Sequence, residues 1–481
     1  MKRFVCALLM VLLLSLFSGC SKNKPGSGVP KKQESEMLRI CIDLGFVYNE
    51  IDDPGFQRDF RSQTLVMKMI EAGNAKGVDV PRKFEIEYLP VSGSERETAL
   101  QRIRTEVMSG GGPDLFIAAC SAEYAVDEVE ALFTMPEKAM ELALFMPLDE
   151  YMENNTYFAE WDEMNQTVLA AGRNEEGQQI IPMCYTLPVA VYRAADAEHT
   201  PSKEITWTDM LESEDEALRA AAVWTRNYDE YREGSSFVPL GLPMTEFLLG
   251  EIADYKEEEL LFTEEELVGR LQEIQDLADR YEAGEFDTAP PHYFTYMGRE
   301  FDNAQTMCDI NGTEYDMRAG IEQTEAYSMI PLYSDDGGVT AEIMAYMAIN
   351  RNAKYPEEAF RVLDYLMSFS EQMIQRKMGS LYSTMLSQIY PGVPMYNELM
   401  QEEHRLVSPN DGNRTGWYLT DENFAAWCEV REQITHVKFR NELDKQFIQA
   451  YRDYYEAARQ GEDSTEVVAE SYRNMQRMLR E

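Results

Sequence analysis

Histidines are few, and the spacings that mark several enzyme classes are missing. There are four histidines, His199, His292, His404 and His436. None stands in an H-E-x-x-H pattern, so the signature of a zinc hydrolase is missing. No G-x-S-x-G elbow, P-loop or dinucleotide fingerprint occurs. Asp309-Ile310-Asn311-Gly312 and Asp335-Asp336-Gly337 have the look of calcium loops, but neither has the full ligand spacing. No motif implies a metal, a cofactor or a catalytic residue. Carboxylates abound, at 86 Asp and Glu, yet a glycosidase needs two of them facing each other, a relation that spacing does not reveal. Binding chemistry remains. Sugars present flat C–H faces and many hydroxyls, which aromatic rings and carboxylates or amides recognise, and the chain carries 27 Tyr, 21 Phe and 5 Trp.

Composition narrows the partners. A formal net charge of -42 repels phosphate backbones and anionic lipid surfaces, which argues against nucleic acid. A chain of 481 residues exceeds what one core usually serves, and 44% hydrophobic content is that of a folded protein. Of seven cysteines, Cys41, Cys120, Cys184, Cys308 and Cys428 are widely spread with no C-x-x-C pair. They read as buried thiols, with one disulfide possible.

The other two cysteines belong to a leader. Met1-Lys2-Arg3 is a short basic region, residues 4–17 form an apolar run too short for a comfortable membrane span, and Ser18-Gly19-Cys20 follows. Small residues before a cysteine fit a bacterial lipoprotein processing site, with Cys20 lipidated and made the first residue. Residues 21–36 are rich in Lys, Gly, Ser and Pro and read as a tether that lets a folded body stand off a membrane. The expected location is the extracytoplasmic face of the cell membrane.

The elements that must position a site follow from periodicity. Residues 38–44 (LRICIDL) read as a mostly apolar strand, and a helix is expected over about 57–72. Residues 84–89 alternate as a strand. Residues 95–108 read as a helix with Leu100, Ile103 and Val107 on one face. Gly110, Gly111 and Gly112 end it, Pro113 prevents its continuation, and 114–118 (DLFIA) is a buried strand. Asp114, after Gly-Pro, reads as a turn residue. This alternation implies a parallel sheet with right-handed crossovers. Ligands bind such sheets beyond the carboxyl ends of the strands, which puts the loop Ala119-Cys120-Ser121 at the expected edge. Residues 179–193 (QIIPMCYTLPVAVYR) form a long extended run able to cross between lobes. Thr206–Asp209 and Thr263–Glu266 read as capped helix starts. Residues 356–368 read as a helix with Ala359, Val362, Leu363 and Leu366 on one face, and the chain from Asp421 onward as almost wholly helical.

Several segments, in order, resemble extracellular solute-binding protein family 1. Residues 104–116 (RTEVMSGGGPDLF) look like its G-x-G-P-D-[LIV]-[FI] element, and 145–151 (FMPLDEY) like its L-x-P-L-D segment. Residues 177–192 are similar to its crossing strand, except that Arg193 stands where Asn is common. Thr206-Trp207-Thr208-Asp209-Met210-Leu211 resembles T-W-D-E-L-L, and Asp309-Ile310-Asn311-Gly312 the element where the family's chain returns to its first lobe. Gly337-Gly338 to Asn350, then Pro356-Glu357-Glu358-Ala359-Phe360, resembles the G-G … P-E-E-A-W element.

The resemblance implies an α/β, two-lobed periplasmic-binding-protein-like fold of type II with a helical C-terminal region. Residues 1–20 would be the signal peptide and 21–36 the tether. Residues 37–183 with 306–370 would form one lobe, and 184–305 with 371–481 a second, helix-rich lobe. It implies a monomeric, non-enzymatic carrier that closes on a small polar solute, a mono- or oligosaccharide by family weight, and presents it to an ABC transporter permease. By family position the ligand would meet Ser121, Glu123 and Tyr124, then Tyr185, then Glu314 and Tyr315, with Trp417 as a stacking platform. A surface glycoside hydrolase and an adhesion lipoprotein without a small ligand are the alternatives.

Overall fold

Strand β1 (Leu38–Asp43) is the seed of the main sheet, with five of its six residues buried. The computed structural model describes residues 37–43, 66–90, 93–120, 130–193, 206, 208–209, 212–214, 251–283, 292–297, 327–331, 333–334, 337–370, 393–397, 428–429 and 431–480. Strand β2 (Phe84–Tyr88) and β3 (Leu115–Ala119) flank β1 and run parallel to it. Between them, α1 (Gly93–Met108) buries Leu100, Ile103 and Val107 as the periodicity predicts, together with an unforeseen Arg96. The helix expected over 57–72 is described only from residue 66, and it runs on to 76.

Short elements then wrap the sheet: α2 (Pro136–Glu141), α3 (Asp149–Asn154) and α4 (Gln166–Ala170), followed by the hairpin β4 (Arg173–Asn174) and β5 (Gly177–Gln178). In the core, Phe116, Phe133 and Phe145 meet edge to face, with centroids 4.9–6.2 Å apart. Strand β6 (Ile180–Arg193) is the long crossing run. A small hairpin, β7 (Ala253–Asp254) and β8 (Glu259–Leu260), precedes α5 (Glu264–Glu282). The capping box read at Thr263 is present: the Thr263 amide donates to Glu266 Oε2 at 2.7 Å, and the Glu266 amide to Thr263 Oγ1 at 3.2 Å.

Strands β9 (His292–Met297), β10 (Tyr327–Pro331), β11 (Val339–Ile349), β12 (Val393–Pro394) and β13 (Ile434–Phe439) complete the set, with α6 (Pro356–Leu366), α7 (Glu442–Gln460) and α8 (Ser464–Arg480). Helix α6 buries Ala359, Val362, Leu363 and Leu366, as read from the sequence. The helical reading from residue 421 fails at β13. Ile434 and Phe439 are buried there, and the strand is held by a parallel pairing with β11, nearly a hundred residues earlier. A partner so distant leaves no trace in local periodicity. Beyond it the helical reading holds: α7 and α8 pack together, and α8 also meets α5.

The topology sets up two junctions. Strand β6 pairs with β11 through Thr186, and with β12 at Cys184 and Tyr185. From Leu187 onward its partners are β9 and β10. One strand therefore serves two groups of strands and changes partners within a single step. The second junction lies on the other edge of β11. There β3 pairs with Ala345–Ile349, and β13 pairs with Val339–Ile343. Strands β3 and β13 consequently lie end to end along one edge of β11, and Ala119 abuts Phe439.

Candidate functional site

Both junctions fall at the edge where the carboxyl ends of β1 and β3 point, the edge expected to bind. Strand β3 ends at Ala119, where β13 takes over alongside β11, and the chain is described again from Glu130, where it is firmly held. Asp43, the last residue of β1, makes a bidentate pair with Arg96, at 2.7 Å (Nη1–Oδ1) and 3.0 Å (Nη2–Oδ2), with both side chains buried. The Leu132 amide donates to the same carboxylate at 2.8 Å, and Arg96 Nε donates to the Glu130 carbonyl at 3.1 Å. Arg104 adds bonds to the Ala131 and Leu132 carbonyls at 2.6 and 2.8 Å. A planar guanidinium satisfies several carbonyls and a carboxylate at once, which suits it to clamping the foot of a loop.

At the first junction Tyr185 is fully buried. Its hydroxyl accepts from Arg431 Nε at 3.0 Å and, at the limit of hydrogen bonding, from Asn165 Nδ2 at 3.5 Å. Arg431, 8% exposed, also donates to Asn397 Oδ1. Two residues on, the Tyr333 hydroxyl donates to Gln433 Oε1 at 2.8 Å. Residues 431–433 are thus tied both to the crossing strand and to the segment between β10 and β11.

At the second junction charge is buried under α2. Lys438 pairs with Asp444 at 2.9 Å, and Arg440 with Glu342 at 3.7 Å, all four residues being nearly or fully inaccessible. Burial lowers the Arg440 guanidinium to about 10, against the opposing pull of Asp444 and Cys120. Burial raises the Cys120 thiol well above its ordinary value, and Glu137, Glu342, Cys184 and Asp444 raise it further. Cys41 is raised in the same way, by burial first and then by Asp43 and Glu87. Thiols held neutral are poor nucleophiles, so neither is built for covalent catalysis. Among the described residues, no group of three or more His, Cys, Asp or Glu could hold a metal ion. The described part of this edge offers rigid hydrogen-bonding scaffolding and no activated nucleophile.

Of the residues expected to meet ligand, Tyr185 is described, and it stands behind the surface at the first junction. Ser121, Glu123, Tyr124, Glu314, Tyr315 and Trp417 lie outside the described residues, as does Cys20. The structure brings Tyr185 together with Arg431, Asn397 and Asn165, which sequence reasoning missed. A polar residue in the N-cap position of a short helix was the one available signal for Asn165, whose Oδ1 receives the Val168 amide at 3.2 Å. Nothing local pointed to Arg431, 246 positions from its partner.

The sequence matches no protein-family model, and no curated protein matches it. Its structure does have likenesses. An extracellular solute-binding protein of family 1 from Alicyclobacillus acidocaldarius aligns over 96% of this chain and 100% of its own, with a TM-score of 0.53 and 12% identity. A periplasmic oligogalacturonide-binding protein from Yersinia enterocolitica aligns over 92% and 98%, with a TM-score of 0.52 and 13% identity. A de novo designed cysteine esterase aligns over the same shares, with a TM-score of 0.54 and 12% identity. At such identities the likeness is one of fold: this chain has the two-lobed α/β fold of the solute-binding proteins. Binders and a designed catalyst both appear on it, so the fold alone does not select an activity.

Proposed function

We propose that this chain is an extracytoplasmic solute-binding protein that captures a small polar ligand, a carbohydrate, between two lobes and delivers it to an ABC importer without chemical change. The observation that carries the reading is the partner switch in β6, where one continuous strand leaves the first group of strands for the second at Thr186–Leu187. A ligand that touches both sides of such a junction stabilises the closed arrangement by the difference in its contacts between the two states. The solute-binding fold and the oligogalacturonide-binding neighbour support a sugar. Ser121, Glu123, Tyr124, Glu314 and Tyr315 would take hydroxyls, Trp417 would stack on a sugar face, and Tyr185 would hold the junction behind them. Cys20 would carry the lipid that tethers the protein outside the membrane. Among the described residues no helix is long and apolar enough to cross one.

The test is a thermal-shift screen over mono- and oligosaccharides, trigalacturonate included, with peptides and polyamines as comparison. A ligand at a hundredfold excess over its Kd stabilises the folded form by about 2.7 kcal/mol, a clear rise in Tm. Trp417→Ala is expected to abolish the shift for the best sugar and to leave the Tm without sugar nearly unchanged. No shift with any sugar refutes the reading. So does the appearance of new reducing ends on labelled oligosaccharide, which would mark a hydrolase.

A further inference from the structure

Helix α2 and the residue two before it, Thr134, hold the end of β13 and the C-terminal helices. The Glu442 amide, in the first turn of α7, donates to the Thr134 carbonyl at 3.0 Å. Glu137 Oε1 accepts the Phe439 amide at 2.9 Å across 302 positions. Lys138 Nζ donates to the Leu479 carbonyl near the end of α8 at 2.9 Å, and pairs with Glu258 in the β7–β8 turn. Glu137 differs from the other grips. Its Oε2 is shut off from solvent and has no hydrogen-bond partner.

The surroundings of Glu137 are rich in acids. On its own element, the Lys138 amine is engaged with Leu479 and Glu258. From the β13–α7 turn come the Phe439 amide and Asn441, which donate to it, and Asp444, which repels it. Lys438 pairs with Asp444 at 2.9 Å, and Arg440 Nε lies 3.7 Å from Glu342 Oε1 of β11. Tyr346 of β11, Cys120 at the end of β3, and Tyr255 with Glu251 ahead of β8 add neutral or acidic groups within electrostatic reach. Three carboxyls, of Glu137, Glu342 and Asp444, therefore share a buried region with two cations. Ion pairs join the two cations to Asp444 and Glu342, and the charge that acts on Glu137 is the repulsion of Asp444.

We propose that Glu137 is a proton-operated latch between α2 and the β13–α7 turn, closed when its carboxyl is neutral and loosened when it ionises. The Phe439 amide is bound at Oε1, while Oε2 is buried with no hydrogen-bond partner, so the ionised form is under-solvated there where the neutral form is not. Burial, then Asp444, raises the Glu137 carboxyl from 4.5 to about 7 against the donors that favour its charge. The latch thus titrates in the range where a protein outside the cytoplasm meets changing pH. It lies within electrostatic reach of Cys120, the described residue that follows β3.

The test needs no ligand, so it stands apart from the sugar-binding reading. The protection factors of the Phe439 and Glu442 amides, corrected for intrinsic exchange, are measured by hydrogen exchange from pH 6 to pH 8.5 in the full chain and in Glu137→Gln. A carboxyl that is shifted from 4.5 to about 7 and exposed on local opening gives about a tenfold loss of protection over that interval. Glu137→Gln keeps an acceptor for the Phe439 amide and should show a flat profile. Parallel profiles in the two proteins overturn the proposal. Should Glu137→Gln not fold, the carboxyl of the wild-type protein can be titrated directly by carbon NMR: a midpoint near 7 supports the latch, and one near 4.5 overturns it.

Discussion

The junction at Tyr185 makes a quantitative prediction. Tyr185→Phe removes one oxygen, leaves the ring in place and strands Arg431 Nε, which now reaches that oxygen at 3.0 Å inside the protein. A hydrogen bond to a charged group contributes about 1.5–3 kcal/mol, and a buried donor left unpaired bears its own desolvation cost. The single variant should therefore lose about 2 kcal/mol. Arg431→Gln also gives up the bond to Asn397 and should lose about 3 kcal/mol. The two residues touch, so their effects should not add. The double variant should recover about 1.5–3 kcal/mol of the summed loss. Urea unfolding at pH 7, with the slope on denaturant unchanged across the four proteins, reads each value from the midpoint. Losses that sum to within about 0.5 kcal/mol would show that the contact is incidental. The account of Tyr185 as the post on which the crossing strand turns would then fall.

Two further substitutions probe the frame around the site. Asp114 is buried and accepts the amides of Arg39, Lys354 and Tyr355 at 2.9, 2.6 and 3.1 Å. Asp114→Ala should cost about 3–5 kcal/mol in urea unfolding, and Asp114→Asn, which keeps one acceptor, clearly less. Gly338 has φ +115° and lies where a Cβ would strike Thr435 Oγ1 and crowd His436, whereas Gly337, φ +87°, has open space around it. Gly338→Ala should lower Tm more than Gly337→Ala does, and a Thr435→Ala background should restore part of the difference. Equal losses at the two glycines would refute the steric reasoning.

The elements were legible in the sequence wherever a pattern is local. Strands β1, β2 and β3 and helices α1 and α6 announce themselves by runs, periodicity and a terminal glycine-proline stop, and β6 by its length. What escaped are contacts between positions far apart in the chain. Strand β13 was read as helix because its partner β11 lies far away in sequence. Arg96 looks like any charged helix residue in sequence, yet it is buried against Asp43, 53 positions before it. Glu137 sits beside Pro136 at a helix start, where an acid is ordinary. Only the approach of Phe439 and Asp444 from the far end of the chain sets it apart.

One motif that carried the family resemblance can be followed in full, and it fastens the frame. In the G-G-G-P-D-L-F element, Asp114 and the carbonyls of Gly111 and Pro113 face Lys354, Tyr355 and the amide of Asn350, which donates to both carbonyls at 2.8 and 2.9 Å. These bolts sit before β3 begins, whereas residues 121–129 leave after it ends. The G-G-G-P-D element thus stands at the amino edge of β3, whereas the partner switch of the crossing strand stands at the carboxyl edge. Bolts are constrained to a few residue types because the backbone groups they satisfy are the same in every copy of the fold. Loops at the binding edge are constrained by whatever ligand each protein takes. A likeness carried by the bolts therefore transmits the fold with high fidelity and the ligand hardly at all. For the same reason, the identity of the solute has to come from binding to the intact protein.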